Sequence, residues 1–200
     1  FNLIGGSNTG DIYGDDKVAS ANDGNDSFNW TGGDLNSGFF GGNGSDAATI
    51  SSNANYEGSE ILDGGDDYSA ADGWVDTLTL RDQTVTAGAG TILNWENIII
   101  DGGVVNFGSA LEVGSESTLG LTTRNGGTVF SDTNFILTGN LINNGIVSIQ
   151  DGVVGNTFTV NGDYSGTGHL AMDVVLGSDT SLSGSLIISG DSSGSTTLNV

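Results

Sequence analysis

Apolar residues recur along this chain in short alternating runs, of which Thr77-Leu78-Thr79-Leu80 is the clearest. Successive side chains of a strand point to opposite faces, so such a run buries one face and exposes the other. Similar strand-like runs occupy residues 84–87, 96–100, 104–107, 128–131, 134–137, 145–149, 157–160, 169–176, 186–189 and 196–200. Gly, Asn, Asp, Ser and Thr dominate the stretches between, and windows rich in Ala, Leu or Glu are missing, which disfavours helix. The pattern predicts an all-β chain.

The alternation is tied to a period. Asp23-Gly24-Asn25-Asp26-Ser27-Phe28-Asn29-Trp30, Asn43-Gly44-Ser45-Asp46-Ala47-Ala48-Thr49-Ile50 and Asp63-Gly64-Gly65-Asp66-Asp67-Tyr68-Ser69-Ala70 align every 20 residues. Asx-Gly supplies a tight turn, and the apolar residues that follow at alternate positions supply a strand. A turn-then-strand unit at that period is one coil of a parallel β-solenoid. A variant, Asp72-Gly73-Trp74-Val75-Asp76, precedes the run at 77–80, and looser Asx-Gly turns follow at Asp101-Gly102, Asn125-Gly126, Asn144-Gly145 and Asn161-Gly162. Eight to ten coils about 4.8 Å apart predict a rod of roughly 40 to 50 Å. Nothing reads as a linker, so residues 1–200 are expected to form one domain. A soft boundary near residue 80 separates Asp/Gly-rich coils (1–80) from irregular ones (81–200).

Composition narrows the partners. The chain carries 25 acids against 3 bases, a net charge of −22, with 35 Gly, no Pro and no Cys. Binding phosphates needs clustered Lys and Arg, and only Lys17, Arg81 and Arg124 exist, so nucleic acid and anionic membranes are excluded as partners and divalent cations favoured. Absence of Cys removes disulfides and thiolate chemistry. No apolar stretch approaches the roughly 20 residues of a spanning helix, and Phe1-Asn2-Leu3 opens no signal peptide, as in a mature chain or a fragment.

From Asp76-Thr-Leu-Thr-Leu80 and Asn94-Trp-Glu-Asn-Ile-Ile-Ile100-Asp-Gly-Gly103 onward the chain resembles the passenger of a Gram-negative autotransporter. Asn161-Gly-Asp-Tyr-Ser-Gly166, Leu176-Gly-Ser-Asp-Thr-Ser181 and Leu186-Ile-Ile-Ser-Gly190 resemble the passenger-associated repeat of the autochaperone region. The resemblance covers roughly residues 76–200. It implies a right-handed parallel β-helix, exported through the outer membrane by its own C-terminal β-barrel, folding with help from the C-terminal coils. Gly184-Ser185 stands where many members have an Asp followed by a basic residue. The implied location is the cell surface or the medium, and the implied role is non-enzymatic: adhesion to a host cell-surface or matrix protein or glycan, or a released effector engaging a receptor. Self-association along the rod is a further expectation.

Gly41-Gly42-Asn43-Gly44-Ser45-Asp46 also resembles the calcium-binding nonapeptide of RTX proteins. A strict 20-residue coil would stack Asp23, Asn43 and Asp63 in one ladder and Asp26, Asp46 and Asp66 in another. Stacked carboxylates repel unless a cation or proton intervenes, and hard oxygen ligands suit Ca²⁺. The six are therefore candidate calcium ligands. The competing reading is that Asx-Gly turns need these residues only for local hydrogen bonds.

Catalysis finds little support. His169 is the single His and lies in an alternating run, where packing or surface exposure is its expected role, and no Gly-x-Ser-x-Gly elbow is present. A glycan-cleaving β-helix would need paired carboxylates or a base in a groove, and no pair is privileged. Phe28, Trp30, Phe39, Phe40, Tyr56, Tyr68 and Trp74 concentrate in the first 80 residues. Phe28, Trp30 and Tyr68 are expected to stack in the core, whereas Phe39 and Phe40 cannot both point to one side of a strand, which leaves one as an outward contact.

Overall fold

The computed structural model describes residues 1–15, 24–178 and 180–200. Each coil is a set of short strands that reappears one layer up. The first coil carries β1 (Asn2–Asn8) and β2 (Ile12–Tyr13); the next β3 (Ser27–Leu35) and β4 (Gly38–Gly42), then β5 (Ala47–Ile50) and β6 (Ile61–Gly65). Two coils follow with long strands, β7 (Thr77–Thr86) with β8 (Ile92–Leu93) and β9 (Asn97–Asn106) with β10 (Ala110–Glu112). The later coils divide the same path into three: β11 (Gly120–Arg124), β12 (Thr128–Phe130) and β13 (Phe135–Thr138), then β14 (Leu141–Asn143), β15 (Ile146–Ile149) and β16 (Thr157–Asn161). The last are β17 (Tyr164–Gly166), β18 (His169–Met172), β19 (Ser185–Ile188) and β20 (Thr197–Asn199).

Every pairing between these strands is parallel. The longest sheet runs β1-β3-β5-β7-β9-β12-β15-β18-β20, with β11, β14 and β17 branching from β9, while β2-β4-β6-β8 and β10-β13-β16-β19 line a further face. The branch arises inside β9. Gly102 and Gly103 have φ of 80° and 72°, a left-handed pair that bends the strand, so β11 pairs its first half and β12 its second. The architecture is thus the expected parallel β-solenoid. Several of its coils exceed the 20 residues of the strict repeat. Eight steps along the nine-strand path give a stack of roughly 38 Å at about 4.8 Å each.

Alternation explains which side faces in. In β3 and β5 the pattern places Phe28, Trp30, Ala48 and Ile50 inside, and Leu78, Leu80, Ile98 and Ile100 continue the two columns through β7 and β9. Each fully buried residue of this size contributes roughly 1.5–3 kcal/mol of hydrophobic stabilisation. Aromatics fill the wide N-terminal end: Phe28 stacks on Phe39 with ring centroids 5.0 Å apart, and Phe39 on Trp95 at 6.4 Å. Both buried indoles have their N–H satisfied, Trp30 by the Gly33 carbonyl and Trp95 by that of Leu62, each at 2.9 Å. Phe40 turns outward and stacks on Tyr13, so the Phe39-Phe40 pair divides as expected. Tyr68 departs from expectation. It is half-buried beside Glu112 and Val113, not in the core, because its segment leaves the coil in a loop containing a 3₁₀ turn, Ala70–Asp72.

A polar seam runs beside the apolar core of the later coils. Thr123 Oγ1 donates to Asn143 Oδ1, Asn143 Nδ2 donates to the Tyr164 hydroxyl, and that hydroxyl meets Thr196 Oγ1 at 2.6 Å. Four successive coils are thereby cross-linked by hydrogen bonds, the first two of them buried. His169 is on the outward face of β18, and the last strands are the least covered, with Ile187 and Leu198 exposed.

Candidate functional site

The feature that stands out chemically is a column of acids at one corner of the coils. A carboxylate recurs two residues before the first core-facing residue: Asp26 before Phe28, Asp46 before Ala48, Asp76 before Leu78, Glu96 before Ile98. The side chains of Asp46, Asp76 and Glu96 each reach back to the amide of the coil beneath. Asp26 N–H donates to Asp46 Oδ1, Asp46 N–H to Asp76 Oδ1 and Asp76 N–H to Glu96 Oε2, all at 2.6 Å. These short bonds satisfy backbone donors where the strands begin.

Burial of the column is almost complete. Asp46, Asp76 and Glu96 are 1%, 0% and 1% exposed. Glycine makes that possible: a Cβ placed on Gly41 would collide with Asp46 Oδ2 and the Gly64 carbonyl, and one on Gly64 would press on Asp76 Cβ and the Asn94 carbonyl. The price is electrostatic. Asp46 Oδ2 and Asp76 Oδ2 are buried with no hydrogen-bond partner. Burial pushes the Asp76 carboxyl up to about 8, and the charges of Glu96, Asp46 and Asp66 push in the same direction against the Asp46 amide. Burial likewise raises Glu96 to about 7 and Asp46 to about 6.

The predicted ligands fall differently from the strict 20-residue stacking. Asp26 and Asp46 are neighbours in one ladder, as expected. Asp66 is not the next rung. The step from Asp46 to the following rung spans 30 residues and ends at Asp76, because Leu78 and Leu80 supply the core positions above Ala48 and Ile50. Asp63 belongs to β6, pairs with Phe40 on another face of the coil, and accepts from Asn94 Nδ2 at 2.9 Å. Burial raises its carboxyl above the ordinary value, although Asn94 opposes this. Asn43 follows Gly42, which pairs with Gly65, so Asn43 is level with Asp66, and its amide donates to Asp15 Oδ2. Asp23 lies outside the described residues, as does Lys17.

Asp66 nonetheless returns to the column from the side. One carboxylate oxygen each from Asp66, Asp76 and Glu96 lies within 4.8 Å of the others, and Asp66, Asp67 and Asp72 form a second, exposed group. Asp76 and Glu96 were not among the residues nominated from sequence. Their signal was the acid two places before a core residue, a spacing shared with Asp26 and Asp46. Arg81 and Arg124 are both remote from the column in partnership. Among the described residues they form the ion pairs on Asp101, at 3.7 and 3.0 Å, and Arg124 with Asn125 holds that carboxyl below its usual value.

A second ladder runs through the C-terminal coils, one residue further along the strand and with opposite polarity. Asn140 Oδ1 accepts from Asp163 N–H at 2.9 Å, and Asp163 Oδ1 from Asp191 N–H at 2.8 Å, so each side chain reaches forward to the next coil. Asn140 also donates to the Glu116 and Leu119 carbonyls.

Comparison with known proteins places this second ladder. Residues 139–200 match the family described as Autochaperone Domain Type 1. The chain is 37% identical over 131 residues to the protein named "Probable autotransporter YfaL" of Escherichia coli strain K12, covering 65% of this chain and 10% of that one. It is 34% identical over 169 residues to "Adhesin BmaC autotransporter" of Brucella suis biovar 1 strain 1330, covering 72% of this chain and 5% of that one. The chain thus spans a tenth or less of the length of these curated relatives. No solved structure matches it significantly. The stacked parallel fold and these matches define an autotransporter passenger-type β-solenoid. Its C-terminal coils, residues 139–200, are the autochaperone region, and its place is the bacterial outer surface or the medium.

Proposed function

We propose that this passenger segment is a non-enzymatic adhesive rod that binds a host cell-surface or matrix component while its own C-terminal β-barrel serves export. The observation that carries the reading is the similarity, over 72% of the chain, to an autotransporter whose name designates it an adhesin. The surface supports it. The outer face of β10, β13, β16 and β19 aligns Ala110, Ile136, Thr159 and Ile187 in one column, with Ile136 and Ile187 about half exposed. A column of this kind offers side chains to a partner without disturbing the stack.

The test is attachment. Beads coated with residues 1–200 should adhere to epithelial cells or to immobilised matrix proteins more than beads coated with an inert protein of equal charge. Replacing Ile136 and Ile187 with Asp should reduce attachment while leaving the circular dichroism spectrum unchanged. Adhesion no greater than that of the inert protein across both cell and matrix panels would refute the reading.

A further inference from the structure

The column of acids is built for more than backbone capping. We propose that Asp66, Asp76 and Glu96 form a binding site for one hard divalent cation of the calcium class, clamping the loop that follows β6 onto two successive coils. This reading is independent of adhesion, since it concerns how the coils are held and not what they bind.

The geometry supplies an all-oxygen donor set. Three carboxylate oxygens lie within 4.8 Å of one another. An ion with ligand distances of about 2.3–2.6 Å fits between oxygens at such separations, and calcium tolerates the irregular angles of donors drawn from different segments. Two of the donors are rigid. Asp76 and Glu96 are locked on adjacent coils by 2.6 Å hydrogen bonds from the amides of Asp46 and Asp76. The third, Asp66, is exposed and leaves the remaining coordination positions open to water.

A cluster of acids alone would not indicate a ligand. The independent observation is Asp76 itself: the residue is fully buried, one oxygen caps the Asp46 amide, and Oδ2 has no partner. A buried carboxylate oxygen without a donor carries a large desolvation cost unless a proton or a cation meets it. Among the described residues no basic side chain does so, because both arginines engage Asp101. The loop explains the arrangement. The step from Asp46 to Asp76 is ten residues longer than the steps from Asp26 to Asp46 and from Asp76 to Glu96. The extra length carries Asp66 out of β6 and back against the column.

The experiment uses the full 200-residue chain, stripped with EDTA and studied at pH 8 and fixed ionic strength. Calorimetric titration with CaCl₂ should show one saturable site per chain with Kd between about 10⁻⁵ and 10⁻³ M, and Tm should rise with calcium to a plateau. Asp66→Asn, on the exposed loop, should melt no lower than the wild type in EDTA, since it removes a charge that repels Asp76 and Glu96, but bind calcium at least about tenfold more weakly, the effect of one fewer ligand charge. Asp132→Asn, an exposed acid elsewhere, should bind as the wild type does. Absence of saturable calcium heat, or undiminished affinity in Asp66→Asn, would overturn the site. Equal affinity for Mg²⁺ would overturn its assignment to calcium.

Discussion

Replacing Asp76 by Asn should change the sign of its effect on stability between pH 5 and pH 9. The reasoning follows from linkage. A carboxyl whose folded pKa is raised binds more protons in the native state than in the unfolded chain, so stability falls as pH rises from the unfolded value toward the folded one. For Asp76 the window extends from about 4 to about 8. Above it the buried carboxylate is charged. A displacement of about four units at 1.36 kcal/mol each sets the cost at roughly 5 kcal/mol. The amide in Asp76→Asn removes that charge and keeps an oxygen for the Asp46 amide. It leaves a buried NH₂ group with an incomplete set of acceptors, costing roughly 1–3 kcal/mol. At pH 9 in EDTA the variant should therefore be more stable by about 3 kcal/mol, a Tm increase of roughly 6–12 °C for a chain of this size. At pH 5 the wild-type carboxyl is protonated and only the amide penalty remains, so the variant should melt slightly below the wild type. Thermal melts by far-UV circular dichroism at pH 5, 7 and 9 measure the difference directly. A Tm difference of the same sign and size at all three pH values would refute the assignment of the buried charge to Asp76.

Gly41→Ala should destabilise by at least 2–3 kcal/mol in urea unfolding, because its Cβ has no space between the Asp46 carboxylate and the Gly64 carbonyl. Leu78→Ala, at a fully buried position between Ala48 and Ile98, should cost about 3–4 kcal/mol and raise hydrogen exchange first in β5, β7 and β9. Arg124→Ala should change Tm by no more than the equivalent of about 1 kcal/mol, since its pair with Asp101 is at the surface, and that small effect should vanish in high salt.

Much of this architecture was present in the order of the residues. Alternation located the strands, and Asx-Gly pairs located many of the turns, because a strand has only two faces and a tight turn tolerates few residue types. The runs at 96–100, 104–107, 145–149 and 157–160 all fall on or within a residue of β9, β15 and β16. What local pattern could not decide was which corner of a coil a turn occupies. Asp63-Gly64-Gly65-Asp66 repeats the wording of Asn43-Gly44-Ser45-Asp46 but closes β6 at the end of a different face, and the corner above Asp46 is taken by Asp76. Any corner imposes the same demand on φ, so the motif carries no label for its face. Register was settled by the core instead. Leu78 and Leu80 extend the columns of Ala48 and Ile50, whereas Tyr68 and Ala70 sit in a loop.

The acids show the same division. Sequence alone determined that the chain would be an acidic all-β stack with carboxylates at its turns, since composition and period are properties of the chain itself. Only the tertiary structure decided that Asp76 and Glu96 are buried, that Asp76 Oδ2 lacks a partner, and that Asp66 arrives beside them from a loop ten residues too long for the repeat. Burial and proximity belong to coils laid on one another, and residues 20 or 30 apart acquire a common environment only when the layers close.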